Sequence, residues 1–212
     1  MQHGSRRAVL MGDFIFTRCF SAVSDCATPQ NARMLSSSVA RIVSSEMAEM
    51  RDTLSEGPSV RRYLHRVIGK TAVLFTLSFH LGATEVGLEE WQTDALRRIG
   101  YNMGVGFQIV DDILDLEGDP KRTGKPVGTD LKLAVMTLPV ILALKRNLNG
   151  HVAERFSREA LRMGRVGRLV LKAWSERSVR TNTIKKLQEA VGEAGGLVAA
   201  RGFAERYTRR AE

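Results

Sequence analysis

Apolar residues recur at spacings of three and four along almost the whole chain, as in "RAVLMGDFIFTRCFSAV" near the N-terminus. This spacing places the apolar side chains of a helix on one face, so the pattern predicts helices throughout. Prolines and glycines interrupt it where helices are expected to start and stop. The predicted helices cover residues 6–25, about 29–54, 58–83, 88–116, 130–144, 152–173, 176–192 and 195–209.

The chain carries no strand pattern of useful length and no internal repeat. One long polar loop, "EGDPKRTGKPVGT" over residues 117–129, follows the longest predicted helix. Asp130 comes directly after this loop, at a position suited to capping the next helix. The sequence therefore predicts an all-α fold, with residues 1–212 forming a single domain.

Composition and charge fit a globular protein. Of the 212 residues, 43% are hydrophobic and 26% are charged, which allows a substantial core. The net charge is +9, and most of the excess is C-terminal, since residues 151–212 hold 14 basic and 7 acidic side chains. A basic surface can attract nucleic acid, anionic lipid or a polyanionic small molecule. Because glutamates lie among these basic residues and no known nucleic-acid-binding motif appears, we interpret them as solvated helix faces and expect no nucleic-acid partner.

The two cysteines and the apolar segments predict a cytoplasmic protein. Cys19 and Cys26 lie on one predicted helix, about 10 Å apart along its axis, which is too far for a disulfide. We expect both to be small buried hydrophobes in a reducing compartment. No segment approaches the roughly 20 apolar residues of a membrane span. Asp13 ends the N-terminal apolar patch too early for a signal peptide.

The most informative segment is "FQIVDDILDLEGDPKRTGKPVGTDL", residues 107–131, in which three aspartates end a long helix. Asp111 and Asp115 are one turn apart on the same face, and Asp112 is rotated by about 100° from Asp111. Three carboxylates this close repel one another unless a cation lies among them. Mg²⁺ suits such a place, since it takes one or two carboxylates and completes its shell with water and phosphate oxygens. The alternative, an exposed acidic helix end, is weakened by the apolar residues on both sides.

The loop after the aspartates has the composition of a phosphate-binding segment. Lysine binds phosphate as a point charge, and glycine lets the backbone approach a ligand closely. The order of residues is not that of a Walker loop, and no strand precedes it. These residues suggest a ligand whose diphosphate is held between Mg²⁺ and lysines and whose apolar tail lies in a cavity beside them. An isoprenoid diphosphate is a substrate of this kind. The residues concerned are Lys121, Arg122 and Lys125, with Gly118, Gly124 and Gly128.

Four segments, taken in order, form a recognisable set. They are "VLMGDFIFTRCF", "YLHRVIGKTAVLF", "GFQIVDDILDLEGDPKRTGKPVGTDL" and "TLPVILAL", which together span about residues 8–145. The set resembles the trans-isoprenyl (polyprenyl) diphosphate synthases, in which it matches the Gly-Asp helix, the Lys-Thr helix, the second aspartate-rich motif with its loop, and the helix after the loop. This resemblance implies an all-α bundle around a central cavity, the isoprenoid synthase type, and usually a homodimer.

The resemblance also implies a reaction and its metal. Members of this family are prenyltransferases that join an allylic diphosphate to isopentenyl diphosphate with Mg²⁺. The allylic carbon–oxygen bond ionises, and the double bond of isopentenyl diphosphate attacks the resulting cation. By position, Asp111 is expected to be the most direct Mg²⁺ ligand. Asp112 and Asp115 are expected to be further ligands, or hydrogen-bond acceptors that do not touch the metal.

The substrate-binding residues are carried over from the family in the same way. Lys70 and Lys125 are expected to hold the allylic diphosphate. Thr71 and Gln108 are expected to lie beside the carbon that becomes cationic, where their oxygen dipoles stabilise positive charge. Gly104 and Gly106 point to open space near this site.

The sequence departs from the family pattern in three respects. The first aspartate-rich motif lies upstream of the Gly-Asp helix in the family and is absent from these 212 residues. Val135 stands where the family usually has a lysine, and in "SSEMAEM" Ser45 and Glu49 replace the glycine and glutamine of a Gly-Glu-x-x-Gln pattern. We therefore expect an N-terminally incomplete fold and a chain that is inactive alone or depends on a missing segment or partner.

Two alternatives stay open within this interpretation. The chain can be a non-catalytic subunit or regulator in a heteromer with a related synthase subunit. A terpene cyclase shares the Mg²⁺, the aspartate-rich helix and the all-α fold. It is less favoured because the "GKPVGTDL" loop and the Lys-Thr helix are of the synthase type.

Overall fold

The helical pattern of the sequence appears directly in the fold. The computed structural model describes residues 4–51, 59–117, 128–133, 135–147, 164–175 and 181–212, and within these ranges all regular structure is helical. The all-α prediction is confirmed. The elements are α1 (Gly4–Cys26), α2 (Pro29–Arg51), α3 (Val60–Val67), a π-helical turn (Ile68–Ala72, the π turn), α4 (Val73–Glu85), α5 (Glu90–Glu117), α6 (Thr129–Lys132), α7 (Leu138–Asn147), α8 (Arg165–Ser175), α9 (Thr181–Glu193) and α10 (Gly196–Arg209).

Two predicted helices differ from the observed ones. The helix predicted over residues 130–144 is wrong, because residues 135–137 are not helical and separate α6 from α7. Pro139 explains the break, since proline fits the first turn of a helix but lacks the N–H that a continuous helix needs. The helix predicted over residues 58–83 is interrupted by the π turn. The early part of the helix predicted over 152–173 lies outside the described residues.

The described chain divides into two compact units, Met1–Ala40 and Arg41–Glu212. In the first unit, α1 is exposed along most of its length, and the rings of Phe16 and Phe20 pack with centroids 4.9 Å apart. Cys19 is exposed, so the expectation of a buried thiol is wrong for it. The side chain of Cys26 lies outside the described residues. The exposed large apolar residues of α1 are Val9, Leu10, Met11, Phe14, Ile15 and Phe16.

In the second unit, α5 is the central element and packs against α4, the π turn, α7 and α10. Its buried apolar residues Val105, Ile109, Ile113 and Leu116 follow helical spacing and belong to the main core cluster. Burying each such side chain stabilises the fold by about 1.5–3 kcal/mol. The core therefore holds α5 firmly on one face, from the middle of the helix to its C-terminal end.

Glycines on α5 allow close helix packing. A Cβ on Gly100 would lie 2.8 Å from the Phe75 carbonyl oxygen, and one on Gly104 would lie 2.6 Å from Ala72 Cα. A Cβ on Gly106 would lie 3.5 Å from Thr208 Oγ1. The expectation that Gly104 and Gly106 leave open space is therefore wrong, because both are buried against neighbouring helices. The contact at Gly104 brings the π turn directly against α5.

The continuous run of α3, the π turn and α4 is more apolar than the sequence analysis expected. By length and composition alone, Val60–Glu85 could cross a membrane. In the second unit this run packs against α5, and the polar side chains of its middle turn form the hydrogen bonds described below.

Candidate active site

The π turn carries the first two predicted site residues, Lys70 and Thr71. A π-helical turn within a helix is rare and frequently occurs at functional sites, because it changes the direction of the side chains around it. Thr71 Oγ1 donates a hydrogen bond to Gln108 Oε1 on α5 at 2.7 Å. The structure thus joins two residues that the sequence analysis assigned to the same role.

Asp112 extends this contact into the core. Gln108 Nε2 donates to Asp112 Oδ1 at 3.0 Å, and Tyr63 Oη donates to Asp112 Oδ2 at 2.6 Å. Asp112 is only 4% exposed and Tyr63 only 2%. Asp112 was predicted to be either a metal ligand or a hydrogen-bond acceptor that does not touch the metal. These contacts favour the second role.

Burial and hydrogen bonding compete in setting the charge of Asp112. Burial raises its pKa to about 6, although the hydrogen bonds from Tyr63 and Gln108 and the positive charge of Arg66 act to lower it. Burial and the nearby Asp112 raise the pKa of Tyr63. At neutral pH Asp112 is therefore a carboxylate and Tyr63 a neutral donor.

Tyr63 is a site residue that was not predicted from the sequence. Tyr63 precedes Lys70 by two helical turns and so lies near the face that leads to the site. Arg66, one turn along, donates from Nη2 to the Met136 carbonyl oxygen at 2.8 Å, and its Cζ lies 5.6 Å from the Tyr63 ring centroid. These contacts tie α3 to the segment before α7.

Asp115 secures the chain where it returns from the polar loop. Its Oδ1 accepts from the Thr129 backbone N–H at 3.0 Å, and its Oδ2 accepts from that of Asp130 at 3.2 Å. The expectation that Asp130 caps the following helix is therefore wrong, because Asp115 takes the N–H groups at the start of α6. Gly128 is required between them, since its φ is +73° and a Cβ would lie 2.5 Å from Ile184 Cγ2.

Asp130, which the sequence predicts only as a helix cap, is a fourth carboxylate of the site. Burial, followed by repulsion from Asp115, Asp112 and Asp111, raises its pKa to about 6. These shifts mean that the four carboxylates share one region of negative potential. Such a region attracts a cation.

The carboxylates fit a divalent cation that is bound together with an anion. In the described part of the chain, no group of three or more His, Cys, Asp or Glu side chains forms a ready metal cage. Mg²⁺ does not need one, because it usually keeps several waters and binds through one or two carboxylates plus substrate phosphates. Asp111 is the exposed member of the predicted trio, whereas Asp112 and Asp115 already accept hydrogen bonds on both oxygens.

Asp111 lies in a row of exposed apolar side chains. Phe107 precedes it by one turn and Leu114 follows it by three residues, so the three share one face of α5. Phe107 is 57% exposed and Leu114 is 47% exposed. The Phe107 ring also packs on Phe75 of α4, with centroids 5.4 Å apart. With a cation bound at Asp111, this face suits a ligand that has an anionic head and an apolar tail.

Lys70 forms an ion pair with Glu46 near the C-terminal end of α2, with Nζ 2.7 Å from Oε1. Each side chain is 43% exposed. A Cβ on the neighbouring Gly69 would lie 1.9 Å from Ser45 Oγ, so a side chain at this position would require the Ser45 side chain to move. Lys125, with Lys121 and Arg122, lies outside the described residues.

The C-terminal helices hold the end of α5. Gln188 on α9 donates from Nε2 to the Leu116 carbonyl oxygen at 2.6 Å. Arg201 on α10 pairs with Glu117. Orphan carbonyls at a helix end need such partners, so these contacts stabilise the turn that carries Asp115.

A pocket of about 380 Å³ lies elsewhere, near the α4–α5 junction. It is lined by Ser78, Phe79, Gly82, Ala83, Val86, Leu88 and Leu96 and contains no ionisable side chain. It has none of the predicted site residues.

Comparison with known proteins agrees with the fold. The family model described as "Polyprenyl synthetase" matches residues 1–169. The chain belongs to this family. Members that resemble it include heptaprenyl diphosphate synthase component 2 of Geobacillus stearothermophilus, 34% identical over 140 residues, which cover 66% of this chain and 44% of that protein.

Solved structures of the family share the all-α isoprenoid synthase fold with this chain. Geranylgeranyl pyrophosphate synthase from Lactobacillus brevis superposes with a TM-score of 0.80 at 34% identity, over 99% of this chain and 60% of that one. Polyprenyl synthase from Caulobacter crescentus, in complex with calcium and isoprenyl diphosphate, gives 0.82 at 28% identity, over 98% and 59%. The chain thus spans less than half of the curated synthase above and about three fifths of these solved chains.

Proposed function

We propose that this chain is a polyprenyl diphosphate synthase-like protein of isoprenoid biosynthesis. It carries the half of the active site that contains the second aspartate-rich motif. The complete site condenses isopentenyl diphosphate head to tail with an allylic diphosphate. The observation that carries the proposal is the exposed face of α5, where Asp111 stands among exposed apolar side chains, close to the hydrogen-bonded pair Thr71 and Gln108. Family membership and the calcium–isoprenyl diphosphate complex of the Caulobacter relative support the same substrate class.

The proposed metal is Mg²⁺, with Asp111 as its direct ligand and Asp112 and Asp115 as ligands or as acceptors behind it. When bound, the cation neutralises charge on the departing diphosphate. Lys70 and Lys125 hold the diphosphate. Lys70 must then exchange its Glu46 partner for a phosphate oxygen, which the exposure of both side chains permits.

Thr71 and Gln108 act where the diphosphate joins the prenyl chain. Because the Thr71 hydroxyl proton is donated to Gln108, the oxygen lone pairs of Thr71 remain available to face positive charge on the allylic carbon. Oxygen dipoles fixed in advance stabilise charge without reorganising, which is the main electrostatic contribution in such sites. The exposed face around Phe107 would contact the prenyl tail.

We further propose that residues 1–212 form one polyprenyl-synthase-like domain that acts in the cytoplasm as a homodimer or as a heteromer with a related synthase subunit. The name "component 2" of the Geobacillus relative supports a heteromer. The second candidate function, a non-catalytic subunit or regulator of such an assembly, rests on the same name. Both candidates use the Asp111 face for binding, and they differ in turnover.

Incubation with farnesyl diphosphate, Mg²⁺ and isopentenyl diphosphate tests the reaction class. We expect no turnover by the 212-residue chain alone, and consumption of isopentenyl diphosphate by an assembly that contains it. Linear product formation by the isolated chain would contradict the first expectation. Release of pyrophosphate from farnesyl diphosphate without isopentenyl diphosphate would replace the synthase proposal with a cyclase.

A further inference from the structure

We propose that Tyr63 is a positioning residue of the site. By holding Asp112, it fixes the direction of the hydrogen bonds that Thr71 and Gln108 donate. Thr71 then offers its oxygen lone pairs to the substrate. The inference rests on the proposed function only for the identity of that substrate. The chain of contacts is Thr71 to Gln108 at 2.7 Å, Gln108 to Asp112 at 3.0 Å, and Tyr63 to Asp112 at 2.6 Å.

All three hydrogen bonds point toward the Asp112 carboxylate. Thr71 gives its proton to the Gln108 carbonyl oxygen, Gln108 gives an amide proton to Oδ1, and Tyr63 gives its phenolic proton to Oδ2. A primary amide can be rotated by half a turn with little change in shape, so its orientation depends on its partners. An acceptor at Oδ1 fixes the amide nitrogen of Gln108 toward Asp112 and its oxygen toward Thr71.

Tyr63 holds the acceptor in place. It comes from α3, whereas Gln108 and Asp112 are on the same helix, so its hydrogen bond fixes the carboxylate from outside α5. Both Tyr63 and Asp112 are almost completely buried, which excludes water as a ready substitute donor. Without the phenol, Oδ2 lacks this donor, and the carboxylate can turn away from Gln108.

A directional chain has a chemical consequence at its far end. Hydrogen bonds in series polarise one another, so an anionic acceptor at one end increases the negative charge on the oxygen at the other end. Thr71 therefore presents a fixed, electron-rich oxygen. If the Gln108 amide turned over, its N–H would donate to Thr71, and the hydroxyl proton would be released toward the substrate.

Tyr63→Phe tests this inference in the full chain without any need for turnover. The first readout is the NMR signal pair of the Gln108 side-chain amide, identified by its loss in Gln108→Leu. The second is the coupling between Tyr63→Phe and Thr71→Val in urea unfolding. In the proposed chain, Tyr63 and Thr71 act on one another through Gln108 and Asp112. If the two substitutions were independent, their effects on the unfolding equilibrium constant would multiply, so a departure from the product measures the coupling. Thr71→Ser keeps the donor hydroxyl, so its effect and that of Tyr63→Phe should be independent.

Matched controls are available in the same helices. Thr76 donates its hydroxyl to the Ala72 carbonyl of its own helix at 2.7 Å, so Thr76→Val removes a similar hydroxyl without touching the chain. Tyr101→Phe removes a phenol from α5. Neither variant should move the Gln108 amide signals or couple to Tyr63→Phe.

The expected result is that Tyr63→Phe shifts the Gln108 amide signals and that its effect on the unfolding equilibrium constant departs roughly fivefold from independence when combined with Thr71→Val. Unmoved Gln108 signals together with independent effects would overturn the inference. Neither readout requires a prenyl diphosphate. A wild-type chain that does not bind prenyl diphosphate would therefore count against the proposed function and not against this inference.

Discussion

Lys70 Nζ lies 2.7 Å from the carboxylate of Glu46, so a lysine expected to bind diphosphate is paired with an acid of its own chain. Glu46 lies in the "SSEMAEM" stretch, where the sequence departs from the family pattern at Ser45 and Glu49. The pair keeps the charge of Lys70 neutralised between ligands. An incoming diphosphate has to compete with Glu46 for this lysine.

Glu46→Gln should therefore strengthen the binding of inorganic pyrophosphate in the presence of Mg²⁺. An exposed ion pair contributes about 0.2–1 kcal/mol, so we expect affinity to rise by up to about fivefold. Isothermal titration measures the change. Glu193→Gln, which removes an exposed acid paired with Arg165, is the control and should leave affinity unaltered. Weaker binding by Glu46→Gln would show that Glu46 helps to place Lys70.

Asp115→Ala should destabilise the fold, because it removes the acceptor for two backbone N–H groups at the start of α6. Loss of a capping side chain costs about 0.5–2 kcal/mol, and Asp115→Asn should lose less because it keeps one oxygen. Urea unfolding gives the values. Asp94→Ala, on the exposed face of the same helix, is the comparison. Equal effects at the two positions would rule out a capping role for Asp115.

The stability of the chain should depend on pH through Asp112. Its pKa rises from 3.8 in the unfolded chain to about 6 in the fold, so the folded state binds the proton more tightly. This contribution is complete below pH 3.8 and is lost as pH rises through about 6, which amounts to about 3 kcal/mol.

The free energy of unfolding, measured from pH 4 to pH 7, tests this prediction. Wild type should lose stability relative to Asp112→Asn as pH rises, because the amide does not ionise. Asp130 contributes with the same sign, since its pKa is also raised. A constant difference between wild type and Asp112→Asn across this range would contradict the assignment.

Gly104→Ala should destabilise the fold, because the added methyl group would meet the Ala72 backbone at 2.6 Å. Overpacking of this kind costs about 1–3 kcal/mol. Gly82→Ala is a matched control, because nothing lies within 4 Å of its Cβ position. That variant should gain up to about 1 kcal/mol from helix propensity. A neutral Gly104→Ala would show that the π turn can move away from α5.

The sequence predicted the parts of the fold and site that depend on local spacing. Helical periodicity located α1, α5 and α10 closely, and the spacing of the three aspartates indicated a group of carboxylates at the end of α5. The Lys-Thr pair and Gln108 came from the resemblance to the family, and the structure joins Thr71 to Gln108.

The remaining features depend on contacts between distant parts of the chain. Tyr63 reaches Asp112 across 49 residues, and Glu46 reaches Lys70 from another helix, so no local pattern reveals either contact. The close approach of the π turn to α5 depends on the missing side chain of Gly104. Asp130 belongs to the carboxylate group only because Asp115 folds the returning chain against the end of α5.

We propose that the Asp111 face binds a prenyl diphosphate together with Mg²⁺. The most direct test of this proposal is isothermal titration of the chain with a non-hydrolysable farnesyl diphosphate analogue, with and without Mg²⁺. We expect Mg²⁺-dependent binding that weakens about tenfold or more in Asp111→Asn and stays unchanged in Asp94→Asn, which alters an exposed acid on the same helix. Binding of equal strength without Mg²⁺, or in Asp111→Asn, would contradict it.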